Sequence, residues 1–248
     1  MLSEERVKRI KELKNRSYDR GIFTFTDFMS PTSLAEAVTL LKKGEYTIFG
    51  GVEYAERKMI RFGSLEDFGY EEPFPITLLK VTLLGGKFAT PITHRDVLGA
   101  TLNLGIERQK LGDIFINAQF AYIIAEETVA VLIKEELKSI GKNKVSVEEI
   151  FALPSSLAPK TEEVEFSVAS NRADAVVCKV FNLSRETGSA LFEKGLVAVN
   201  GRIVDVSSKC LTMGDVVAVR GYGKFEFLKE DGFSKKGKLY VVVNKYVG

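Results

Sequence analysis

The chain has 248 residues, which is long for a single domain and predicts two or three compact units. Hydrophobic residues make up 45% of it and charged residues 27%, as in an ordinary globular protein with a well-solvated surface. The net charge of +2 says little, but from Ala169 onward there are 13 Lys and Arg against 8 Asp and Glu, a net +5. The C-terminal third therefore suits a polyanionic partner, although solvated surfaces also carry an excess of this size.

Composition also excludes several classes of protein. Cys178 and Cys210 lack the close spacing of a metal or redox motif, and two cysteines with one histidine cannot form a recognisable zinc site. The N-terminal stretch "MLSEERVKRIKELKNR" lacks the apolar segment of a signal peptide, and no apolar run is long enough to cross a bilayer. We therefore expect a cytoplasmic protein with no cofactor, no metal, no membrane partner and no small-molecule substrate.

Residues 1–75 predict an N-terminal α/β unit. Ser3, followed by two glutamates, is typical of a helix start, and apolar residues then recur at helical spacing. A second helix is predicted from Pro31, with an apolar face that reaches Leu41 and a stop at Gly44. The segments "YTIFGG" and "RKMIRFG" predict two short strands joined by a turn.

Residues 76–163 predict a middle domain that ends in a linker. The strand "ITLLKVTLL" precedes a helix from about Arg95, the strands "DIFIN" and "FAYIIAE", an amphipathic helix that stops at Gly141, and the strand "KVSVEEI". This β-α-β-β-α-β order is ferredoxin-like, an arrangement that RNA-recognition domains share with many enzymes and regulatory domains. The linker is predicted at "ALPSSLAPKTEE", residues 152–163. The apolar face of the amphipathic helix is predicted to be Val129, Leu132, Ile133, Leu137 and Ile140.

Residues 164–248 predict two helices followed by hairpins. Ser184 is suited to cap the second helix, and Asn200-Gly201 is typical of a two-residue hairpin turn. The free N–H groups at the start of that second helix, beside Arg185, favour phosphate. Further cations are expected to converge with Arg185 on one basic face, namely Lys194, Arg202, Arg220 and Lys224.

The pattern R-x-D, SR, G-x-V-x-VNG, GD-x-V and RG begins at Arg172 and resembles the S-four domain, an RNA-binding module named after a ribosomal small-subunit protein. Two residues depart from the usual pattern, Ala173 and Phe192, and both concern packing. The resemblance implies an S-four fold that binds structured RNA. The matching positions are Arg172, Asp174, Ser184, Arg185, Gly195, Val197, Val199, Asn200, Gly201, Gly214, Asp215, Arg220 and Gly221.

Four further segments extend the resemblance to nearly the whole chain. They are "HRDVLGATLNLGIERQKLGDI", "GGVEYAERKMIRFG", "FTDFMSP" and "RGYGKF", and they are similar to the YlmH-type proteins, in which an RNA-recognition-like domain precedes an S-four domain. This resemblance implies a non-enzymatic bacterial protein that binds large-subunit rRNA and tRNA on the large ribosomal subunit. It also implies a role in translation quality control, in the rescue of stalled peptidyl-tRNA complexes.

The motif His94-Arg95-Asp96 keeps an enzymatic alternative open. S-four domains are also fused to pseudouridine synthases, in which an Arg-Leu-Asp motif supplies the catalytic carboxylate, and His-Arg-Asp is a near miss. The expected Thr/Ser-x-Gly does not follow, and the glycine-rich loop and Asp-Phe-Gly of protein kinases are absent from the sequence. The local alternative is a helix start, with Thr93 as the cap and Asp96 in the first turn.

We therefore predict RNA binding rather than catalysis. Arg95, Arg108 and Lys110 are expected near one edge of the middle domain, where they can bind phosphate. Tyr222 is a candidate for stacking on a base. The complete set of predicted RNA-binding residues is Arg172, Ser184, Arg185, Lys194, Asn200, Arg202, Arg220, Tyr222 and Lys224, together with Arg95, Arg108 and Lys110.

Overall fold

The fold is that of a computed structural model, which describes residues 2–86, 89–117 and 119–247. The chain divides into two compact units, Met1–Ser30 with Ala37–Ala158 and Pro31–Glu36 with Pro159–Gly248. The N-terminal and middle domains expected from the sequence fall within the first unit, except for residues 31–36 and 159–163, which belong to the second. Helices and sheets occur in both units, so the predicted α/β class is confirmed.

A helix and three short strands form the N-terminal part of the first unit. Helix α1 (Glu4–Arg20) begins where Ser3 Oγ accepts a hydrogen bond from the backbone N–H of Arg6 at 3.3 Å, and it ends at Gly21. An antiparallel sheet in the order β1-β3-β2 follows. Its strands are β1 (Thr24–Phe25), β2 (Tyr46–Phe49) and β3 (Met59–Phe62).

The second helix is shorter than predicted. Helix α2 spans Pro31–Val38 and does not reach Gly44. The backbone N–H groups of Leu40 and Leu41 donate to carbonyls three residues earlier, at 3.0 and 3.2 Å, so the chain turns here. Because Leu40 is exposed, a longer helix would bury little apolar surface.

The central sheet of the first unit is ferredoxin-like, as predicted. Its order is β5-β6-β4-β8-β7, and all neighbouring strands are antiparallel. Strand β6 lies between β4 and β5, and β4 lies between β6 and β8, which is the split βαβ arrangement. The elements are α3 (Leu65–Phe68), β4 (Ile76–Leu83), α4 (His94–Leu102), β5 (Leu111–Ile116), β6 (Phe120–Glu126), α5 (Glu127–Glu136), β7 (Ser139–Ile140) and β8 (Asn143–Ile150).

The prediction that the amphipathic helix continues to Gly141 is wrong. Helix α5 ends at Glu136, and Leu137 already has extended backbone angles. Ile140 is fully buried, but it lies in the β7–β8 hairpin, where it pairs with Asn143. Helical spacing and a buried hairpin both place an apolar residue at this position, so the sequence pattern could not separate them.

Both faces of the central sheet are covered, at least in part. Helices α4 and α5 pack on one face, where Val97 and Ile133 join the main core. On the opposite face Ile124 packs against Phe28 and Met59 from the N-terminal part of the same unit. That part of the sheet is therefore closed to a ligand.

The second unit contains a six-stranded antiparallel sheet in the order β11-β10-β12-β13-β14-β9. Strand β9 pairs with β14 from Lys160 onward, so residues 160–163 of the predicted linker belong to a strand. Helices α6 (Ala173–Val180) and α7 (Arg185–Glu193) pack on the sheet. The strands are β9 (Lys160–Val168), β10 (Val197–Val199), β11 (Arg202–Ile203), β12 (Val216–Val219), β13 (Gly223–Phe233) and β14 (Leu239–Val247).

The predicted turn between β10 and β11 is confirmed. Asn200 and Gly201 have φ angles of 50° and 77°, the left-handed values that a tight two-residue hairpin requires. Gly201 also lies against the carbonyl of Pro31 in the same unit, so there is no room for a side chain at this position.

Helices α6 and α7 approach each other at a glycine. A Cβ atom added at Gly188 of α7 would collide with Sγ of Cys178 of α6. The thiol of Cys178 donates to the carbonyl of Ser184 at 3.4 Å, and the carbonyl of Cys178 accepts from Leu183 N–H at 2.8 Å. Gly188 therefore permits the close approach that positions the start of α7.

We predict that Gly188→Ala lowers the free energy of unfolding by roughly 1–3 kcal/mol, because the new methyl group overpacks the contact with Cys178. Adding Cys178→Ala removes the sulfur, so the double variant should recover most of the loss. Urea unfolding followed by circular dichroism measures both changes.

Gly99→Ala in α4 is the matched control, since no described atom outside its own helix lies within 4 Å of the added Cβ. This control should be stabilised by up to about 1 kcal/mol. Equal effects of the two glycine substitutions would contradict the packing argument.

Candidate nucleic-acid interface

Helix α7 presents its N-terminus at the surface of the second unit. Ser184 caps it, with Oγ accepting from the backbone N–H of Thr187 at 3.1 Å, and the side chain of Arg185 is exposed. First-turn N–H groups of a helix carry a partial positive charge. The helix end and the guanidinium group can therefore attract the same anion.

Two further predicted cations are exposed near the start of β10. Lys194 follows α7, about 14 Å along the helix axis from Arg185. Arg220, in the turn after β12, donates its backbone N–H to the carbonyl of Leu196 at 2.9 Å, which places this turn beside the connection from α7 to β10. Arg185 and Lys194 are too far apart to hold one phosphate, so they suit separate phosphates of a bound RNA.

Lys224 lies on a different face of the sheet. It pairs with Ala218, whereas its neighbour Phe225 is buried in the core beneath the helices. Successive side chains of a strand point to opposite faces, so Lys224 projects away from the helices, where its Nζ is 4.4 Å from the ring centroid of Tyr246. The expectation that Lys224 shares one basic face with Arg185 is therefore wrong.

Three other predicted residues form bonds within the second unit. The Arg172 guanidinium pairs with Asp174 at 2.7 Å, and one Nη of Arg202 donates to a backbone carbonyl of α2 at 3.1 Å. The Asn200 amide donates to Asp215 at 2.7 Å and accepts a backbone N–H at 2.9 Å. Both ends of the Asn200 side chain therefore tie the hairpin turn to the start of β12. The contact of these residues with RNA stays a prediction.

An aromatic cluster beside the β12–β13 turn was only partly foreseen. The predicted Tyr222 packs on Phe181 at the end of α6, with ring centroids 6.1 Å apart. Nζ of Lys245, from β14, lies 5.7 Å from the centroid of Phe181. In the sequence, the only hint of this cluster is the polar "NKY" at the end of an apolar strand. Lys245 was missed because its neighbour comes from a distant helix.

In the first unit, Arg95 borders an open polar groove between α4 and β7. Lys138 lies across the groove, and the carboxylates of Asp96 and Glu136 also line it. Near the groove, Asn143 of β8 ties the β7–β8 hairpin to the segment before α4, because its amide both donates to and accepts from the backbone of residue 90, each at 2.9 Å. Arg95 is exposed at this groove and can reach a phosphate.

Arg108 and Lys110 have partners inside the first unit. Arg108 donates to the carbonyl of Leu111 at 2.7 Å, and burial lowers its pKa. Lys110 lies 2.9 Å from an Asp27 oxygen and 3.7 Å from one of Glu126. Burial alone would lower the pKa of Lys110, but the hydrogen bond and charge of Asp27 raise it. A phosphate would have to displace these partners, so RNA contact by either residue stays a prediction.

A second half-buried cation, which the sequence did not indicate, supports this region. Arg57 donates to the carbonyls of Leu111 and Phe28 at 2.9 and 3.0 Å. Burial and the nearby charge of Arg108 lower the pKa of Arg57 to about 10. These guanidinium groups hold loop carbonyls in place, which is a structural role.

The His94-Arg95-Asp96 motif forms a helix start. Thr93 Oγ1 accepts from the backbone N–H of Asp96 at 3.3 Å, and the Asp96 carboxylate accepts from the Thr93 backbone N–H at 2.8 Å and from its hydroxyl at 2.7 Å. This reciprocal pair is a capping box. The Asp96 carboxylate is therefore already engaged in holding the chain into α4.

Two other kinds of site are absent from the residues that the structure describes. Within 2–86, 89–117 and 119–247, no group of three or more His, Cys, Asp or Glu side chains is arranged to hold a metal ion. Across the same ranges, no helix has both the length and the apolar character needed to span a membrane.

Comparison with known proteins finds a family model, a related sequence and a solved structure that resemble this chain. Residues 70–152 match the family model described as "Putative RNA-binding domain in YlmH". The chain is 30% identical over 223 residues to "Ribosome-associated protein quality control protein P2" of Bacillus subtilis, across 89% of this chain and 86% of the relative. A solved structure, "Cell division protein ylmH from Streptococcus pneumoniae", aligns at 25% identity with a TM-score of 0.47, over 60% of this chain and 93% of that chain.

We predict that Asp96→Asn destabilises the protein in a pH-dependent way. The hydrogen bonds from the Thr93 hydroxyl and backbone lower the pKa of Asp96 below its usual value. The ionised carboxylate therefore stabilises the fold above the unfolded pKa of about 3.9, and this contribution disappears as the pH falls through the lower folded pKa. Thermal midpoints of the original and variant proteins should differ at pH 7 and converge at the acid end of a pH series. A difference that does not change with pH would contradict the capping role.

Proposed function

This chain belongs to the YlmH family of RNA-binding proteins, and we propose on that premise that it binds large-subunit rRNA and tRNA on the ribosome. We further propose that it acts in quality control of stalled translation, on peptidyl-tRNA held by the large subunit, and that it catalyses no reaction. The name of the Bacillus subtilis relative supports the ribosomal part of this proposal.

The observation that carries the proposal is the set of exposed cations around α7. Arg185, Lys194 and Arg220 are all exposed, and none of them forms an ion pair with the part of the chain that the structure describes. Cations that hold no internal partner can neutralise phosphates and release bound counterions, which is the main source of affinity for RNA backbone. The second unit is therefore the proposed principal RNA contact.

The first unit supplies a proposed second contact at the helical side of its sheet. RNA-recognition-type domains stack bases on the open face of the sheet. Here Phe28 and Met59 cover part of that face by packing on Ile124. The exposed Arg95 and Lys138, at the groove between α4 and β7, are the cations of this unit that we propose to contact RNA.

The alternative function, an RNA-modifying enzyme of the pseudouridine-synthase type, gains no support from the geometry. Its only candidate carboxylate in the motif, Asp96, is occupied by the capping box with Thr93. Incubation of the protein with unmodified rRNA and tRNA, followed by mass analysis, should therefore show no new modified base. A modification that appeared with the original protein and vanished with Asp96→Asn would establish the alternative.

We predict that the double substitution Arg185→Ala with Lys194→Ala weakens association with the large ribosomal subunit. Each lost phosphate contact should flatten the salt dependence of binding by roughly 0.7–0.9 units of log–log slope, so the pair should change the slope by about one to two. Sedimentation with separated subunits at graded salt concentrations measures both quantities.

The matched control is Lys8→Ala with Lys11→Ala on α1, which removes the same charge from exposed positions of the first unit. The control should pellet with the large subunit as the original protein does. Equal binding of the α7 double variant and the original at every salt concentration would show that these cations do not contact the ribosome.

A further inference from the structure

The turn between β12 and β13 holds an aromatic ring at the surface. Tyr222 is 44% exposed, and its backbone N–H donates to the carbonyl of Val219 at 3.0 Å. Gly221 and Gly223 on either side have φ angles of 87° and 125°, which other residues rarely adopt. The glycines therefore fix a tight turn that carries Tyr222 at its tip.

Phe181 supports this ring from the protein side. The two ring planes are tilted by 53°, and Phe181 in turn packs at 6.0 Å on Phe225, which is fully buried. The Tyr222 hydroxyl has no hydrogen-bond partner among the residues that the structure describes. Tyr222 is therefore anchored to the core on one side and open to solvent on the other.

A cation borders this pair of rings on the same face. Lys245 lies directly opposite Phe225 in the pairing of β13 with β14, so its side chain shares the helix-side face, and its Nζ lies over Phe181. Glu162 on β9 is the other cross-strand neighbour of Lys245, but the two form no ion pair within the described structure. The rings are thus flanked by a cation that a phosphate can reach.

The rings are also close to the start of α7. Phe181 precedes Ser184 by three residues, so their Cα atoms are at most about 11 Å apart. Leu183 N–H donates to the carbonyl of Cys178, which folds the connection back and keeps it compact. A strand that touches the α7 N-terminus with a phosphate can therefore place a neighbouring base at Tyr222.

We infer that Tyr222 and Phe181, with Lys245 beside them, form an aromatic shelf that stacks on an unpaired base of the bound RNA. This inference rests on the proposed function and specifies its ligand as RNA with at least one unpaired nucleotide. In a duplex both faces of each base are already stacked, whereas bases in loops, bulges and ends can turn out onto an aromatic side chain. Phosphate contacts alone would not distinguish these two kinds of RNA.

The test compares two RNAs of equal length, a stem-loop with 2-aminopurine in its loop and a fully paired duplex, with the full-length protein. Tyr222→Leu should weaken stem-loop binding by roughly 5- to 150-fold, the usual worth of one stacked base. It should leave duplex binding within about twofold, because the phosphate contacts remain. Tyr222→Phe should bind both RNAs as the original does.

The matched control is Tyr70→Leu, since Tyr70 is 42% exposed and lies in the first unit. It should change neither affinity. The 2-aminopurine fluorescence should change on binding of the original and Tyr222→Phe proteins but not of Tyr222→Leu. Circular dichroism melts of all the variants confirm that they are folded.

Two results would overturn the inference while leaving the proposed function intact. They are an equal loss of stem-loop and duplex binding in Tyr222→Leu, and unchanged binding of both RNAs. If the original protein bound neither RNA, nor the large subunit, the proposed function would fail and the aromatic shelf would fail with it.

Discussion

The close contact of α6 with α7 is the constraint on which the proposed interface depends. Cys178 occupies the space that a side chain at position 188 would need, so the two helices can approach only because that residue is Gly188. The short connection between the helices then carries Phe181 at one end and Ser184 at the other. A phosphate-attracting helix start and an aromatic ring are thereby held within one short segment, and neither could be moved without moving the other.

The first unit is constrained differently. Its ferredoxin-like sheet has the topology of an RNA-recognition domain, yet Phe28 and Met59 pack on the face that such domains use for stacking. From topology alone, the RNA-binding surface would be expected on that face. Because the packing covers part of it, we expect RNA on the helical side instead. There Arg95 and Lys138 are exposed cations at the groove between α4 and β7, and Asn143 ties the β7–β8 hairpin to the segment before α4. Fold class and binding surface are therefore separate questions in this protein.

Local chemistry explains what the sequence could predict. The starts of α1, α4 and α7 were found because Ser3, Thr93 and Ser184 bond to N–H groups only three residues away. The hairpin turn at Asn200 was found because tight turns demand particular residues. The ends of helices were harder to predict, because a buried apolar residue such as Ile140 fits the pattern of a helix and that of a hairpin equally well.

Long-range partners explain what the sequence could not predict. Nothing near Lys110 in the sequence reveals its ion pair with Asp27, and nothing near Lys245 reveals its position over Phe181. Lys224 was assigned to the wrong face because the register of β13 with β12 had to be known first. Arg185 and Arg220 could be predicted as RNA-binding residues without knowing the strand register or any long-range partner. These two residues therefore remain the core of the proposed interface.

The most direct test of the account is ultraviolet crosslinking of the full-length protein to RNA in living cells, with both sides of each crosslink identified. Sequencing of the RNA should recover large-subunit rRNA and tRNA. Mass spectrometry of the protein should place the strongest crosslinks in the second unit, in the segment from Phe181 to Lys194 and in the turn around Tyr222. Crosslinks confined to the first unit, or RNA drawn mainly from the small subunit or from messenger RNA, would contradict the central claim.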